Sequence, residues 1–420
     1  MAVREVLAPF TGHPFDFELW LRIGYYVSQG SDPYSVTNPI PGLSFPGAQA
    51  MTWIGYPPTW AFFQAGLYKI YSLSGIDNRF AYYFIIKQPM ILADLVAGYL
   101  LFRMITELRN LETGVRAFVF WMLCPFTIII SSIWGMFDQV ILVLILGSVL
   151  TVKETQKSAF MLSLGFLLKV LPLMYFPVMA FIQESKQKIA LYLSVSIGTS
   201  IAFALLPYLF FKGWKISQLA GVGISVVNKL GGSANYWIIL TVYQTYWKIP
   251  PSIIDLLNLI AYAWIPAVLI ASAFCISRIK QRENLTRNLC LSLIFITLIF
   301  FLTKSIVNEQ YVIYFLGLGL VDYYVLDSRR RRKLFHAIWI TTLVFLAANN
   351  GYFTRFLEPL STYYKDLNVM FETGGYAELR FAIMLVCGFV FTALTFSYLV
   401  SLYQDLRKIG NGPCVVINNR

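Results

Sequence analysis

Long apolar runs constrain the fold of this chain more than any other feature. They follow one another from residue 58 to residue 403, and most are long enough for a helix to cross the roughly 30 Å hydrocarbon core of a bilayer. Backbone in lipid must satisfy its own hydrogen bonds, and these runs are continuous rather than alternating, so we expect helices. The runs are 58–74, 80–106, 116–133, 136–152, 158–182, 189–211, 252–277, 285–304, 307–326, 334–349 and 379–403.

Composition supports the same fold class. Only 13% of the residues are charged and 58% are hydrophobic, whereas a soluble domain needs far more charge on its surface. The sequence therefore predicts an all-α polytopic membrane protein with about ten transmembrane helices. Residues 1–57 are expected to form an outer loop, and residues 58–420 one integrated bundle in contact with membrane lipids.

The net charge of +12 reflects topology rather than a nucleic-acid partner. Lys and Arg lie in short loops between the apolar runs, which is typical of the positive-inside rule, so no nucleic acid is expected to bind. The basic loops, predicted to be cytoplasmic, are 153–157, 186–188, 278–287, 329–333 and 407–408. The loops 212–251 and 350–378 and the turn 134–138 are then predicted to lie on the outer side.

Residues 11–57 are polar, aromatic and rich in Gly and Pro, which predicts a folded, non-helical loop of a kind that is usually functional. Asp16 and Glu18 form a D-x-E pair there, with Trp20 and Arg22 behind them. Two interpretations are open, because such pairs are weakly specific. The acids either lie on a solvated juxtamembrane helix, or one of them is a reactive carboxylate beside a lipid-facing pocket.

Ionisable groups inside apolar runs cost about 2.5–3.5 kcal/mol each at a helix centre, so each one is a functional candidate. The positive-inside argument places Asp138, Lys169, Lys304 and Glu309 on the same side as Asp16, where we expect one outer chamber. Lys169 lies close to Pro172 within the run 158–182, which predicts a broken or re-entrant helix lining a polar cavity. The candidates are Lys87, Asp94, Asp138, Lys169, Lys304 and Glu309, with Tyr311 nearby.

Several of these residues also have a purely structural interpretation. Lys87 and Asp94 are two helical turns apart and are equally well explained by snorkelling or by pairing with neighbours. Asp138 is more simply explained as the cap of the helix that follows Gly135. Lys304 and Glu309 are close enough in sequence to form a structural ion pair.

Transfer of a sugar from a polyprenyl phosphate fits carboxylates, lysines and aromatic residues in one outer cavity. The phosphate leaving group needs only cationic or hydrogen-bond stabilisation, whereas the attacking hydroxyl must lose a proton to one positioned carboxylate. A single base opposite a phosphate clamp implies displacement with inversion, unlike the paired acids of a hydrolase. Tyr and Trp stack on sugar faces and suit the membrane interface.

The order of short motifs along residues 10–320 resembles a known family. The motifs are Asp16-Phe17-Glu18, Gly30-Ser31-Asp32-Pro33-Tyr34, Tyr56-Pro57-Pro58, Lys87 to Asp94, Cys124-Pro125-Phe126-Thr127 leading to Trp134–Asp138, Leu168–Pro172 and Lys304–Tyr311. Their order resembles the GT-C glycosyltransferases that use dolichyl- or polyprenyl-phosphate sugars. It is most similar to the catalytic subunit of the first GPI mannosyltransferase and its archaeal relatives, and also similar to dolichyl-phosphate-glucose-dependent glucosyltransferases.

The resemblance implies a GT-C-type helical bundle that moves a hexose, mannose favoured over glucose, with inversion. The donor would be a polyprenyl- or dolichyl-phosphate sugar and the acceptor a lipid-linked glycan or similar molecule. The reaction would take place on the outer face of a prokaryotic plasma membrane or the lumenal face of the ER membrane. The expected site comprises Asp16 as base with Glu18 second, Lys169, Lys304, Lys87 and Arg22 towards the donor phosphate, and Trp20, Tyr56, Asp94, Asp138, Glu309 and Tyr311 towards the substrates.

One departure from the family pattern concerns the N-terminus. The family has a complete transmembrane helix before the acidic loop, and only fifteen residues precede Asp16 here. We therefore expect either that the start lies further upstream or that the first helix is missing. No cofactor is firmly predicted and no metal ligands are assigned, although D-x-E binds a divalent metal in some relatives and the question stays open.

Two other classes of function compete with the transferase. A transporter or flippase of lipid-linked sugars would be supported by internal inverted repeats and by charges on both faces of a midplane cavity, and the sequence has neither feature. A non-catalytic scaffold subunit is the third possibility, and the presence of both Asp16 and Lys169 argues against it.

Overall fold

The computed structural model describes residues 1–52, 56–210, 214, 233–279, 284–326 and 328–409. The fold is helical, with one antiparallel pair of two-residue strands, β1 (Val36–Thr37) and β2 (Met51–Thr52). Residues 53–55 of the predicted first loop, residues 212–213 and 215–232 of the predicted loop 212–251, and residues 280–283 of a predicted basic loop lie outside the described residues. The helices are α1 (Ala2–Leu7), α2 (Asp16–Ser28), α3 (Pro58–Leu73), α4 (Arg79–Leu108), α5 (Leu111–Leu123), α6 (Pro125–Ile128), α7 (Asp138–Leu150), α8 (Thr155–Leu168), α9 (Phe176–Phe181), α10 (Lys186–Phe210), α11 (Ile238–Tyr246), α12 (Pro251–Ile260), α13 (Trp264–Arg278), α14 (Leu285–Thr303), α15 (Val312–Val325), α16 (Arg329–Asn349), α17 (Thr362–Glu372) and α18 (Gly374–Ile409).

The prediction of an all-α membrane protein is confirmed at the level of helix length and polarity. Within the described residues, five segments are long and apolar enough to cross a membrane, or up to seven if two bent helix pairs each count as one span. The prediction of about ten spans goes beyond this number. The five segments are Arg79–Leu108, Lys186–Leu209, Pro251–Arg278, Leu285–Thr303 and Gly374–Lys408, and the bent pairs are Leu111–Leu123 with Pro125–Trp134 and Arg329–Asn349 with Gly351–Leu357.

The prediction that residues 11–57 are non-helical is wrong for α2. Pro14 precedes this helix, and its 13 residues contain no proline and a single glycine, so the Gly- and Pro-rich composition of the loop belongs to its flanks. Gly24 is needed for packing, since a Cβ there would lie 2.7 Å from the Tyr82 hydroxyl and 2.9 Å from the Gln64 carbonyl oxygen. The helix thereby packs closely against α3 and α4.

The predicted break at Lys169 is confirmed. α8 ends at Leu168, and Lys169 has extended backbone torsions of φ −156° and ψ 136°. A 3₁₀ helix (Leu171–Tyr175) and the short α9 then continue the chain. Pro172 lies where a continuing α-helix would need a backbone N–H, so the chain leaves the helix and carries Lys169 into the bundle.

A wide π-helical segment, Ile129–Trp134, ends in a glycine turn that fixes the start of α7. Gly135 has a φ of +84°, and a Cβ there would lie 2.5 Å from the Phe17 ring. Both the left-handed backbone and the close approach of Phe17 require glycine at this position. The turn holds Trp134 and Asp138 beside the start of α2.

The two ends of the bundle differ in charge. α7 begins at Asp138 and ends at Leu150, shortly before the basic loop 153–157. α16 begins with the cluster 329–333 and ends at Asn349, whose amide contacts Glu309. The basic residues therefore lie at the opposite ends of these helices from Asp138 and Glu309.

Candidate functional site

Asp16 is the first residue of α2 and keeps access to its surroundings, with 16% of its side chain exposed. Its Oδ2 accepts a hydrogen bond of 2.9 Å from Trp134 Nε1 and lies 3.3 Å from His13 Nδ1. A helix N-terminus also favours a negative charge. Asp16 is thus held in a defined orientation by the indole of Trp134, with the imidazole of His13 beside it.

His13 is a neutral neighbour of Asp16. Its Nδ1 lies 3.2 Å from the backbone nitrogen of Asp16 and 3.3 Å from that of Phe15, as an acceptor. Burial holds the pKa of His13 well below its ordinary value, and the positive charge of Arg355 lowers it further, against a hydrogen bond to Asn350. An uncharged imidazole whose Nδ1 accepts from the backbone has no proton there to give to Asp16, so His13 fixes the start of α2 and supplies no counter-charge to the carboxylate.

Lys169 and Asp138 form a buried ion pair. The distance from Lys169 Nζ to Asp138 Oδ1 is 2.8 Å, and the Tyr314 hydroxyl donates to the same oxygen at 2.6 Å. The interpretation of Asp138 as a helix cap is wrong, because its side chain makes no capping hydrogen bond and Phe137 is the N-cap residue. Its carboxylate turns into the bundle instead, since a buried ammonium needs a counter-charge.

This ion pair retains unused hydrogen-bonding capacity. An ammonium group carries three N–H bonds, and within the described part of the chain only Asp138 accepts one from Lys169. Asp138 Oδ2 is buried and has no donor among the described residues. A polar ligand would find both a donor and an acceptor here.

Aromatic rings surround the ammonium of Lys169. Its Nζ lies 4.7 Å from the ring centroid of Tyr311, 5.7 Å from that of Phe137 and 6.0 Å from that of Tyr56. These distances are in the range of cation–π attraction. Trp20 is fully buried and meets Tyr56 and Phe137 edge-on, at 5.1 and 5.5 Å, so it supports the rings from inside the protein.

Asp16 and the ion pair influence the same two tyrosines. Burial is the main cause that raises the pKa of Tyr56 and of Tyr311, and the negative charges of Asp16 and Asp138 raise the pKa of each further. Both phenols therefore stay protonated and able to donate. The five side chains of Asp16, Tyr56, Asp138, Lys169 and Tyr311 are called the tyrosine cluster below.

Glu309 lies close enough to Asp16 to feel its charge, and Lys304 precedes Glu309 by five residues in the sequence. Glu309 accepts a hydrogen bond of 2.7 Å from Asn349, and burial, with the nearby charge of Asp16 adding to it, raises the pKa of Glu309. Lys304 Nζ lies 5.6 Å from the ring centroid of Trp264, and burial lowers the pKa of Lys304 to about 8. Among the described residues no ion pair joins Lys304 to Glu309, so the structural-pair interpretation is wrong.

Lys87 and Asp94 are not brought into the tyrosine cluster. Lys87 Nζ donates to the carbonyl oxygens of Thr11 and Ser132, at 2.6 Å each. Asp94 Oδ2 accepts from Arg4 Nε at 2.9 Å, and both side chains are almost completely buried. These two predicted site residues therefore brace the N-terminal segment and the π-helical turn.

Glu18 and Arg22 are also directed away from Asp16. Residues two apart on a helix do not share a face, whereas residues four apart do. Arg22 Nε donates to Glu18 Oε1 at 2.7 Å, and the backbone N–H of Phe45 donates to Glu18 Oε2 at 2.9 Å. Burial raises the pKa of Glu18, against the effects of Ser44, Arg22 and Phe45. The pair holds the loop that follows α2 against that helix.

Sequence reasoning did not assign to the site the two neighbours of Asp16, His13 and Trp134, or Arg355, whose charge acts on His13. Arg355 follows Tyr352 and Phe353, which have φ values of +54° and +74°. Such backbone is costly for non-glycine residues and is characteristic of functional segments. Only proximity in sequence could have drawn attention to His13, and no sequence signal connects Arg355 with Asp16.

The described residues contain no group of three or more His, Cys, Asp or Glu side chains that could hold a metal ion. No protein-family model matches the sequence, and a search of curated proteins returns no significant match. The interpretation of the site therefore depends on its own geometry and chemistry.

Proposed function

We propose that this chain is an inverting glycosyltransferase that moves a hexose from a polyprenyl- or dolichyl-phosphate sugar to a lipid-linked glycan or similar acceptor. One observation carries the proposal: a partly exposed carboxylate, Asp16, and a buried ammonium, Lys169, flank the same two protonated phenols, Tyr56 and Tyr311. A base and a phosphate-binding cation are the two groups that this transfer requires.

The base would act on the acceptor. As the acceptor hydroxyl oxygen bonds to the anomeric carbon, its proton passes to Asp16. The bond from that carbon to the phosphate oxygen breaks, and the phosphate leaves with the electron pair. A single displacement of this kind inverts the configuration of the sugar.

The cation would act on the donor. A phosphate ester is a weak base and leaves without protonation if its negative charge is stabilised. Lys169 has N–H bonds unused by the described residues, and the hydroxyls of Tyr56 and Tyr311 are further donors. Asp138 and Tyr314 would hold Lys169 in position through the contacts already described. Lys304 is a second candidate cation.

An apolar cavity suits the polyprenyl chain of the donor. It has a volume of about 580 Å³ and is lined by residues of α3 and α10, including Phe62, Phe63, Leu206 and Pro207. Its lining begins at Thr59, three residues after Tyr56. An isoprenoid entering from the lipid would thus have its phosphate end near the tyrosine cluster.

The proposal extends to the architecture and the side of the membrane. A GT-C-type bundle with about ten spans would place the tyrosine cluster on the outer or lumenal side, because the clustered basic residues lie at the other helix ends. Mannose is favoured over glucose only by the resemblance of the motifs to GPI mannosyltransferases.

The test is an assay of purified protein in lipid nanodiscs with polyprenyl-phosphate mannose and polyprenyl-phosphate glucose, each radiolabelled, and a lipid-linked glycan extract as acceptor. Label that moves into the extract from one donor supports the transferase. A parallel sample with chelator determines whether a divalent metal is required. Donor that crosses the bilayer of a proteoliposome without losing its sugar would refute the transferase and favour a flippase.

A further inference from the structure

A second cavity lies against the start of α2, and none of the tyrosine cluster is in its lining. It has a volume of about 590 Å³, and its lining includes Phe15, Arg22, Phe45, Glu358 and Lys365. Phe15 directly precedes Asp16 in the sequence, and 45% of its surface is exposed. The cavity volume is in the range of small-molecule sites.

An N–H group of Arg22, unpaired in the part of the chain that the structure describes, indicates that the cavity binds a ligand. Its side chain is fully buried, with Nε paired to Glu18 and Nη1 donating to the Thr37 and Gln49 carbonyl oxygens at 3.1 and 2.5 Å. Its Nη2 is buried and has no acceptor within the described residues. A buried N–H group without an acceptor is costly, so this atom is suited to a ligand oxygen.

Two more polar side chains line the same cavity and have unused hydrogen-bonding capacity. Lys365 Nζ donates to the Gly47 carbonyl oxygen at 2.7 Å and, among the described contacts, to nothing else. Glu358 is 8% exposed, and its carboxylate joins no ion pair of the described residues. Burial raises the pKa of Glu358 to about 7, so the carboxyl can donate as well as accept near neutral pH.

The charges of the lining select the kind of ligand. Glu18 balances Arg22, and Glu358 offsets the charge of Lys365, so the cavity has no strong excess of either sign. An uncharged molecule with many hydroxyl groups satisfies donors and acceptors of this kind together. Phe15 offers an exposed aromatic face of the sort on which sugar rings stack.

We infer that this cavity binds a saccharide residue of the acceptor, with Phe15 as the stacking surface and Arg22 and Glu358 as the hydroxyl-binding groups. The inference rests on the proposed function. It places the acceptor next to Asp16, so that the attacking hydroxyl and its base come from adjacent positions on one segment.

The first experiment measures sugar binding without any reaction. Saturation-transfer difference NMR would be recorded on the full chain in lipid nanodiscs, free of glycoside detergents, with methyl α-D-mannopyranoside and methyl β-D-glucopyranoside as probes. We expect saturable binding of at least one glycoside and about tenfold weaker binding in Phe15→Ala and in Glu358→Ala. Phe10→Ala is the matched control, because Phe10 is 44% exposed and does not line the cavity.

The second experiment measures transfer. We expect Phe15→Ala and Glu358→Ala to raise the acceptor KM about tenfold while the donor KM stays within twofold of wild type. Arg22→Lys keeps the positive charge beside Glu18 and removes Nη2, so it should act in the same direction.

The outcomes separate the two proposals. Suppose that the protein never transfers a hexose, but that glycoside binding is lost in Phe15→Ala and kept in Phe10→Ala. This result would support the cavity as a saccharide site and refute the transferase proposal. If the protein transfers hexose and the acceptor KM is normal in Phe15→Ala and Glu358→Ala, the assignment of the cavity is refuted and the transferase proposal stands. Absence of saturable binding to the wild-type protein would also overturn the assignment of the cavity.

Discussion

Replacing Asp16 by asparagine removes one charge from the candidate site and changes little else. The amide oxygen of the new side chain can still accept from Trp134 Nε1, which lies 2.9 Å from Asp16 Oδ2 in the wild type. The contact to His13 involves a neutral imidazole, so no full ion pair is lost. The expected result is a folded protein without its base.

The magnitudes allow the two effects to be separated. Removal of a negative charge from the first turn of a helix costs about 0.3–1 kcal/mol of stability. Removal of a positioned general base lowers the rate by about 10²–10⁴-fold, which corresponds to roughly 3–5 kcal/mol in the activation free energy. The loss of transfer should therefore far exceed any loss of stability.

The assay combines transfer of labelled hexose with thermal unfolding of the same preparation. Asp32→Asn is a suitable control, because Asp32 follows α2 in the chain and accepts a hydrogen bond of 2.9 Å from the Tyr34 backbone N–H. The control should retain wild-type turnover. Turnover above about half of wild type in Asp16→Asn would remove Asp16 from the mechanism, and a large fall in its unfolding temperature would make the loss of activity structural.

Three further predictions follow from the buried charges. Lys169→Ala should raise the donor KM more than the acceptor KM and destabilise the fold by about 3–5 kcal/mol, because Asp138 is left unpaired. Adding Asp138→Asn should restore the unfolding temperature but not the donor KM. Recovery of both would contradict a role of Lys169 in donor binding. Lys304 has a pKa lowered to about 8 by burial, so it is charged below that pH and neutral above it. The donor KM should accordingly rise above about pH 8 in the wild type and not in Lys304→Arg, and superimposable pH profiles would refute the role of this charge. Arg4→Met should lower the unfolding temperature because it leaves Asp94 buried without its cation, at a cost of about 3–5 kcal/mol. Adding Asp94→Asn to this variant should recover most of the lost stability. An unchanged unfolding temperature in Arg4→Met would show that the ion pair is not needed for stability.

The sequence predicts several of the long apolar helices because their signal is local. The run 285–304 corresponds to α14, Leu285–Thr303, and the break near Lys169 follows from a proline and a charge within one apolar run. Apolar length, proline and glycine act within a few residues of their own position. These features need no knowledge of what lies elsewhere in the chain.

The partners of the buried charges could not be predicted in the same way. Asp94 meets Arg4, which is 90 positions away, and Asp138 meets both Lys169 and Tyr314. Any of several lysines or arginines would have satisfied the same electrostatic requirement, and only the packing of the helices selects one. The prediction of a cap at Asp138 is wrong for a related reason, because a carboxylate at the start of a helix fits a local cap as well as a distant cation.

The helical form of α2 changes the meaning of the D-x-E spacing. On a helix the side chains of Asp16 and Glu18 point in different directions, so one carboxylate is available to a substrate while the other is enclosed by Arg22 and the Phe45 N–H.

Glu18 is then a positioning residue, since it orients the arginine that lines the second cavity. The same short helix would carry the base that faces the tyrosine cluster and, nearly two turns later, Arg22, which would hold the acceptor. The position of a base relative to its nucleophile decides how efficiently the proton is transferred. A rigid helix fixes that relation more closely than two separate loops would, which gives a physical reason for a motif of this spacing at the start of a helix.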